Sequence, residues 1–66
     1  MIGRVSWFDP KKGYGFILDT EGKQYFVHYS SVEMEGFRTL EADAEVEFES
    51  WEGPRGPYAA SVKVIA

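Results

Sequence analysis

The chain contains no cysteine, which excludes a disulfide framework and any zinc site built on thiolates. It has a single histidine, His28, and no carboxylate pair near it at a ligand or acid–base spacing. A metal centre, a Ser-His-Asp relay and a two-carboxylate hydrolase therefore lack their parts. There is no Gly-Lys-Ser/Thr phosphate loop, so nothing points to ATP use. No apolar run approaches the roughly 20 residues that span a bilayer. Met1-Ile2-Gly3-Arg4-Val5 runs straight into strand-like sequence with no signal peptide or lipidation motif. We expect no cofactor, no metal, no membrane partner and no enzymatic activity, in a soluble protein of the cytoplasm. Helical periodicity is also missing over any useful length.

Positive charge is scarce. Seven Lys and Arg stand against eleven Asp and Glu, a net charge of −4, whereas nucleic-acid-binding domains are usually basic. The imbalance is uneven. Residues 1–33 carry four cations (Arg4, Lys11, Lys12, Lys23) and four acids, and residues 34–66 carry three cations and seven acids. At 66 residues there is length for one small domain spanning residues 1–66, which buries only about 60% of its unfolded surface and is marginal in stability.

Aromatic residues, by contrast, make up 17% of the chain and concentrate in two segments, Lys12-Gly13-Tyr14-Gly15-Phe16-Ile17 and Tyr25-Phe26-Val27-His28-Tyr29. In extended chain, Tyr14 and Phe16 share one face, as do Phe26 and His28, while Gly15, Ile17 and Val27 point the other way. The aliphatic side supplies a core. The aromatic side is a second apolar face, read here as a stacking platform for unpaired bases, worth about 1–3 kcal/mol per base. Gly15 leaves room for a close backbone approach at a bent strand.

Five strand-like stretches, at residues 2–8, 14–19, 24–29, 44–51 and 59–65, are separated by turn signals. In the fourth, Val46 and Phe48 alternate with Glu45, Glu47 and Glu49. In the fifth, Ala60, Val62 and Val64 share one face, and Ser61 and Lys63 the other. Glu52-Gly53-Pro54-Arg55-Gly56-Pro57 reads as a loop. Ser30-Ser31-Val32-Glu33 has the capping-box pattern and predicts a single helical turn ending by Gly36. Five short strands avoid exposed edges by closing on themselves. The expected fold is all-β, a five-stranded antiparallel Greek-key barrel of the OB type. Its core would be Val5, Ile17, Val27, Val46, Phe48 and Val62.

Taken in order, GRVSWF at 3–8, KGYGFI at 12–17, YFVHYS at 25–30, GFRTL at 36–40 and GPRGPYAA at 53–60 resemble the bacterial cold-shock proteins from end to end. The RNA-recognition motif shares Lys-Gly-Tyr-Gly-Phe but continues with Val, any residue and an aromatic, where Ile17-Leu18-Asp19 stand here. The resemblance implies an OB-type barrel that binds single-stranded RNA and DNA with little sequence preference, as a monomer acting as an RNA chaperone. It places Trp7 on the binding face. Period two, with Val5 inward, instead turns Trp7 inward and Phe8 outward, and a bulge near Trp7 would reconcile the two.

The expected site is thus Trp7, Phe8, Tyr14, Phe16, Phe26 and His28, with Tyr29 and Phe37 extending it at matching family positions. Lys12, Arg38 and Arg55 are the expected phosphate or base contacts, with Lys11 and Lys23 as helpers. Four positions depart from the family pattern: Ser6 for a common lysine, Asp9 for a common asparagine, Gln24-Tyr25 for an acid and a small aliphatic, and Tyr58 for a polar residue. Gln24 is expected to supply the base hydrogen bond of the missing acid. The rival reading is an SH3-type barrel docking a proline-rich peptide on Tyr14, Phe16, Phe26 and Tyr29.

Overall fold

The computed structural model describes residues 1–36 and 38–65. Five strands follow one another: β1 (Ile2–Asp9), β2 (Tyr14–Asp19), β3 (Gln24–His28), β4 (Glu45–Gly53) and β5 (Gly56–Val64), with a 3₁₀ turn, Tyr29–Ser31, after β3. Their hydrogen-bonded order is β1-β2-β3-β5-β4, closed into a barrel by β4 on β1. Four seams are antiparallel. The fifth, between β3 and β5, is parallel, with Phe26 opposite Tyr58. The expected all-antiparallel pairing is corrected there for a topological reason. Strand direction cannot alternate all the way round an odd-numbered ring, so one neighbouring pair must run the same way.

The core holds Val5, Ile17, Val27, Val46, Phe48 and Val62, all buried as the alternation predicts, together with Tyr25, Val32, Leu40 and Ala59. Val32 arrives through a parallel bridge to Val62, and the Glu33 N–H donates to the Val62 carbonyl at 2.8 Å. These contacts tie the chain just after the 3₁₀ turn to β5.

Three local expectations are revised. Gly53 pairs directly with Gly56, so the stretch read as a loop is a hairpin turned by Pro54 and Arg55, and β5 starts at Gly56. In β5 the register slips opposite Glu47/Glu49, and Ser61 takes a left-handed backbone (φ 51°). That bulge shifts the parity: Ala59 and Val62 face the core, while Ala60 is only half-buried and Val64 is exposed. The turn after β3 is capped by His28 and not by Ser30, and it ends at Val32 before Glu33 can close a box. Glu33 pairs instead with Lys63 at 3.6 Å.

Tyr25 shows how the β2–β3 hairpin is tied. It lies on the core parity of Val27 and packs on Phe48 with ring centroids 5.1 Å apart. Its hydroxyl donates to Asp19 Oδ2 at 3.1 Å, while Asp19 Oδ1 accepts the N–H groups of Glu21 and Lys23 at 2.8 and 2.9 Å. The Lys23 N–H above all, then those of Glu21 and the Tyr25 hydroxyl, hold the Asp19 carboxyl below its ordinary range, against the opposing effect of burial. Burial first, and then Asp19, push the Tyr25 phenol up. A carboxyl whose folded pKa is depressed contributes stability above its unfolded value, about 3.9, and loses it as pH falls through the lower folded value. Asp19→Ala should therefore melt earlier at neutral pH and lose less on acidification below roughly pH 4. Melting curves against pH check this: parallel acid limbs in parent and variant would remove Asp19 from the account.

Candidate nucleic-acid interface

The platform is created by a bulge in β1. Val5 faces Ile17, but the next pairs are Trp7 with Phe16 and Phe8 with Gly15, so Ser6 is an extra residue. From there on β1 has inverted parity, and Trp7 joins Phe16 on the outer face. Gly15 permits this. A Cβ built on it would overlap the Trp7 carbonyl oxygen and stand 2.7 Å from the Phe8 Cα. Phe8 is corrected by the same bulge: it is half-buried and packed against the core instead of standing outward.

Four rings then touch one another across three strands. Trp7 lies 5.6 Å from Phe16 and 5.9 Å, edge-on, from Tyr14. Phe26 lies 5.9 Å from both Tyr14 (stacked) and Phe16 (edge-on). Offset and edge-on contacts at these distances are the favoured aromatic geometries and hold the rings in place. Trp7 is 43% and Phe26 38% exposed, and Tyr14, Phe16 and His28 are half-buried. Gln24 is exposed on the same face of β3.

His28 stands opposite Tyr14 across the β2–β3 seam. Its Nδ1 accepts the Ser30 N–H at 3.2 Å and lies 2.8 Å from Ser30 Oγ. Acceptance from a backbone N–H places the neutral ring's proton on Nε2, so the outer nitrogen is a donor. Tyr29 packs beside His28 with centroids 4.5 Å apart and lays its ring on Gly13, where an added Cβ would stand 2.7 Å from Cδ1. Gly13 also has φ +79°, a backbone that side chains resist.

Cations border the rings in two grooves. One, of about 380 Å³, is lined by Lys11, Lys12, Arg38 and Tyr29 over Gly13. The other, of about 430 Å³, is lined by Phe16, Gln24, Phe26, Arg55 and Tyr58. A larger groove of about 600 Å³ runs past Arg4, Leu18 and Asp43 and contains none of the rings. Asp9 has a local structural role at this rim. Its Oδ1 accepts the N–H groups of Lys11 and Lys12 at 2.9 and 3.2 Å, closing the turn that carries Lys12. Lys23 is committed elsewhere, 4.0 Å from Glu52 and over the Tyr25 ring at 5.5 Å. Phe37 lies outside the described residues.

Two more rings stand on the outside of the barrel: Tyr58, which the sequence offered either as an added stacking ring or as filler for the Pro57 loop, and Trp51, which the sequence reading missed. Trp51 is 53% exposed and Tyr58 38% exposed, and they pair across β4 and β5. The signal for Trp51 was present: with Val46 and Phe48 inward, period two turns residue 51 outward.

This geometry meets a matching sequence family. The family described as the 'Cold-shock' DNA-binding domain matches residues 1–65. The chain belongs to the cold-shock domain family. It is 60% identical over 65 residues to a cold shock-like protein of Thermotoga maritima, covering 98% of each chain. It is 52% identical over 60 residues to cold shock protein CspB of Bacillus caldolyticus, covering 91% of each. Cold shock-like protein CspC of Bacillus cereus is 47% identical over 62 residues, covering 94% of this chain and 95% of that one. The family binds nucleic acids and is not enzymatic. Among the described residues, no helix is long and apolar enough to cross a membrane, and no group of three or more His, Asp or Glu could hold a metal ion.

Proposed function

We propose that this cold-shock domain binds single-stranded RNA and DNA with little sequence preference, by stacking unpaired bases on Trp7, Tyr14, Phe16, Phe26 and His28. The observation that carries this is the cluster of four contacting, partly exposed rings, with the Arg55 groove at Phe16 and Phe26 and a second groove, bearing Lys11, Lys12 and Arg38, at Tyr29. Bases lie on the rings and phosphates face outward, where Lys12, Arg38 and Arg55 meet some of them. Gln24 reads a base edge, and Tyr29 lengthens the surface. Three or four stacks supply roughly 3–12 kcal/mol gross, against about 8 kcal/mol net for micromolar binding. With a net charge of −4, stacking carries most of the affinity. A monomer that holds single strands draws RNA out of hairpins by mass action and needs no ATP, which is the work of an RNA chaperone in the cytoplasm.

Titration with oligothymidylate, read by tryptophan emission, tests the reading. A single strand should quench and a duplex should not. Quenching by a proline-rich basic peptide in place of the strand would favour an SH3-type docking face. Two or three phosphate contacts give a slope of log K against log salt of about −1.4 to −2.1 for single strands. A slope several times steeper would mean that phosphates and not rings dominate.

A further inference from the structure

The outer face carries more aromatic surface than the four-ring cluster uses. Cross-strand partners run in one unbroken row: Trp7 opposite Phe16, Phe16 opposite Phe26, Phe26 opposite Tyr58, and Tyr58 opposite Trp51. The row crosses all five strands, an arc of about 19 Å at roughly 4.8 Å per strand spacing. The groove between Phe26 and Tyr58 joins the two parts. Tyr58 is already laid flat: its ring leans on Gly53, where an added Cβ would stand 3.0 Å from Cδ1. Tyr29 leans on Gly13 in the same manner at the other flank. Trp51, beyond Tyr58, is more exposed than any ring of the cluster.

We propose that Tyr58 and Trp51 form a second arm of the binding surface, which takes the bases of the same single strand after it leaves Phe26. This rests on the single-strand reading above and adds to it a site length and a direction across the barrel. A strand on Phe26 has a ring as its next neighbour at each step, so continuity selects the occupant. The charge around the arm defines how it binds. Glu49 lies on the same side of β4 as Trp51, and Glu52 follows it. Those carboxylates repel phosphates at Trp51, so contact there is through the base face, while Arg55 lines the groove at the Tyr58 end. Salt weakens such repulsion. The arm's share of the affinity therefore holds or grows as salt rises, while that of the lysine and arginine contacts falls.

The two tryptophans make the test direct. In Trp7→Phe, which keeps a ring in the cluster, Trp51 is the remaining tryptophan. Oligothymidylates of about four and about ten nucleotides, within the range of site sizes for such barrels, are titrated into it. The longer strand should quench Trp51 and the shorter should leave it unchanged. In a second variant, Trp51→Ser, read by Trp7, the longer strand should bind roughly 5- to 150-fold more weakly and the shorter as in the parent. The loss should be undiminished at higher salt. Retained binding of the short strand shows that Trp51→Ser is folded. A silent Trp51 in the presence of a long strand that quenches Trp7 in the parent overturns the arm and leaves the proposed function standing. So does Trp51 emission that follows protein concentration without any strand, which would make this strip a contact between copies. If neither tryptophan responds to any single strand, both proposals fall.

Discussion

Gly15→Ala is expected to destabilise the barrel severely. The added Cβ has nowhere to go, because the atoms it meets are the Trp7 carbonyl and the Phe8 Cα, backbone of the neighbouring strand. Overpacking that side chains can absorb costs about 1–3 kcal/mol. Here a strand must move, and with it the bulge that orients Trp7. A domain of 66 residues has only about 3–10 kcal/mol of stability in all, at roughly 0.05–0.15 kcal/mol per residue. A cost of 3 kcal/mol or more lowers the melting temperature by about 12–24 °C at 4–8 °C per kcal/mol. Circular dichroism melts measure this. A variant that melts within a few degrees of the parent would mean that β1 can shift without loss, and the bulge would no longer explain the position of Trp7.

Phe26→Ala is expected to weaken binding of a single strand roughly 5- to 150-fold, the equivalent of one base stack at 1–3 kcal/mol. The upper half of that range is the more fitting. Phe26 touches both Tyr14 and Phe16 at 5.9 Å and stands opposite Tyr58, so its removal also unprops two other rings. Stability should hardly change, because Phe26 is on the outer face and belongs to no part of the core. A melt close to the parent's with a large loss of oligothymidylate binding is the expected pair of results, and Phe26→Trp should restore most of the affinity. Unchanged affinity in a folded Phe26→Ala would show that the bases lie somewhere other than on these rings.

What the sequence made legible follows from period two. It sorted Ile17 and Val27 from Tyr14, Phe16 and Phe26, and it put Val46 and Phe48 in the core, because each of those strands runs regularly there. It failed wherever one residue was added to one strand only. Ser6 inverts the parity of Trp7 and Phe8, and Ser61 moves the core position from Ala60 to Ala59. An extra residue leaves no mark in a strand's own pattern. It is visible only opposite its partner, and Gly15 is the one sign of it along the chain. Side-chain caps were hidden for a related reason. His28 closes the turn at 29–31 and Asp9 closes the turn at Lys11 and Lys12 through local geometry that spacing alone does not distinguish from a solvated side chain. The family match supplied Trp7 where periodicity pointed the wrong way.

The parallel meeting of β3 and β5 has a consequence for how this small barrel lives with its ligand. Phe26 opposite Tyr58 is the single ladder pair of that seam among the described residues, against six between β1 and β2 and seven between β4 and β5. An odd ring closes at its thinnest joint, and both residues of that joint are aromatic and outward. A single strand bound as proposed, across both rings, would act as a clasp. Whatever binds the closed ring and not the open one stabilises it by mass action. On the proposed binding mode, letting go of the strand and loosening the barrel become coupled events.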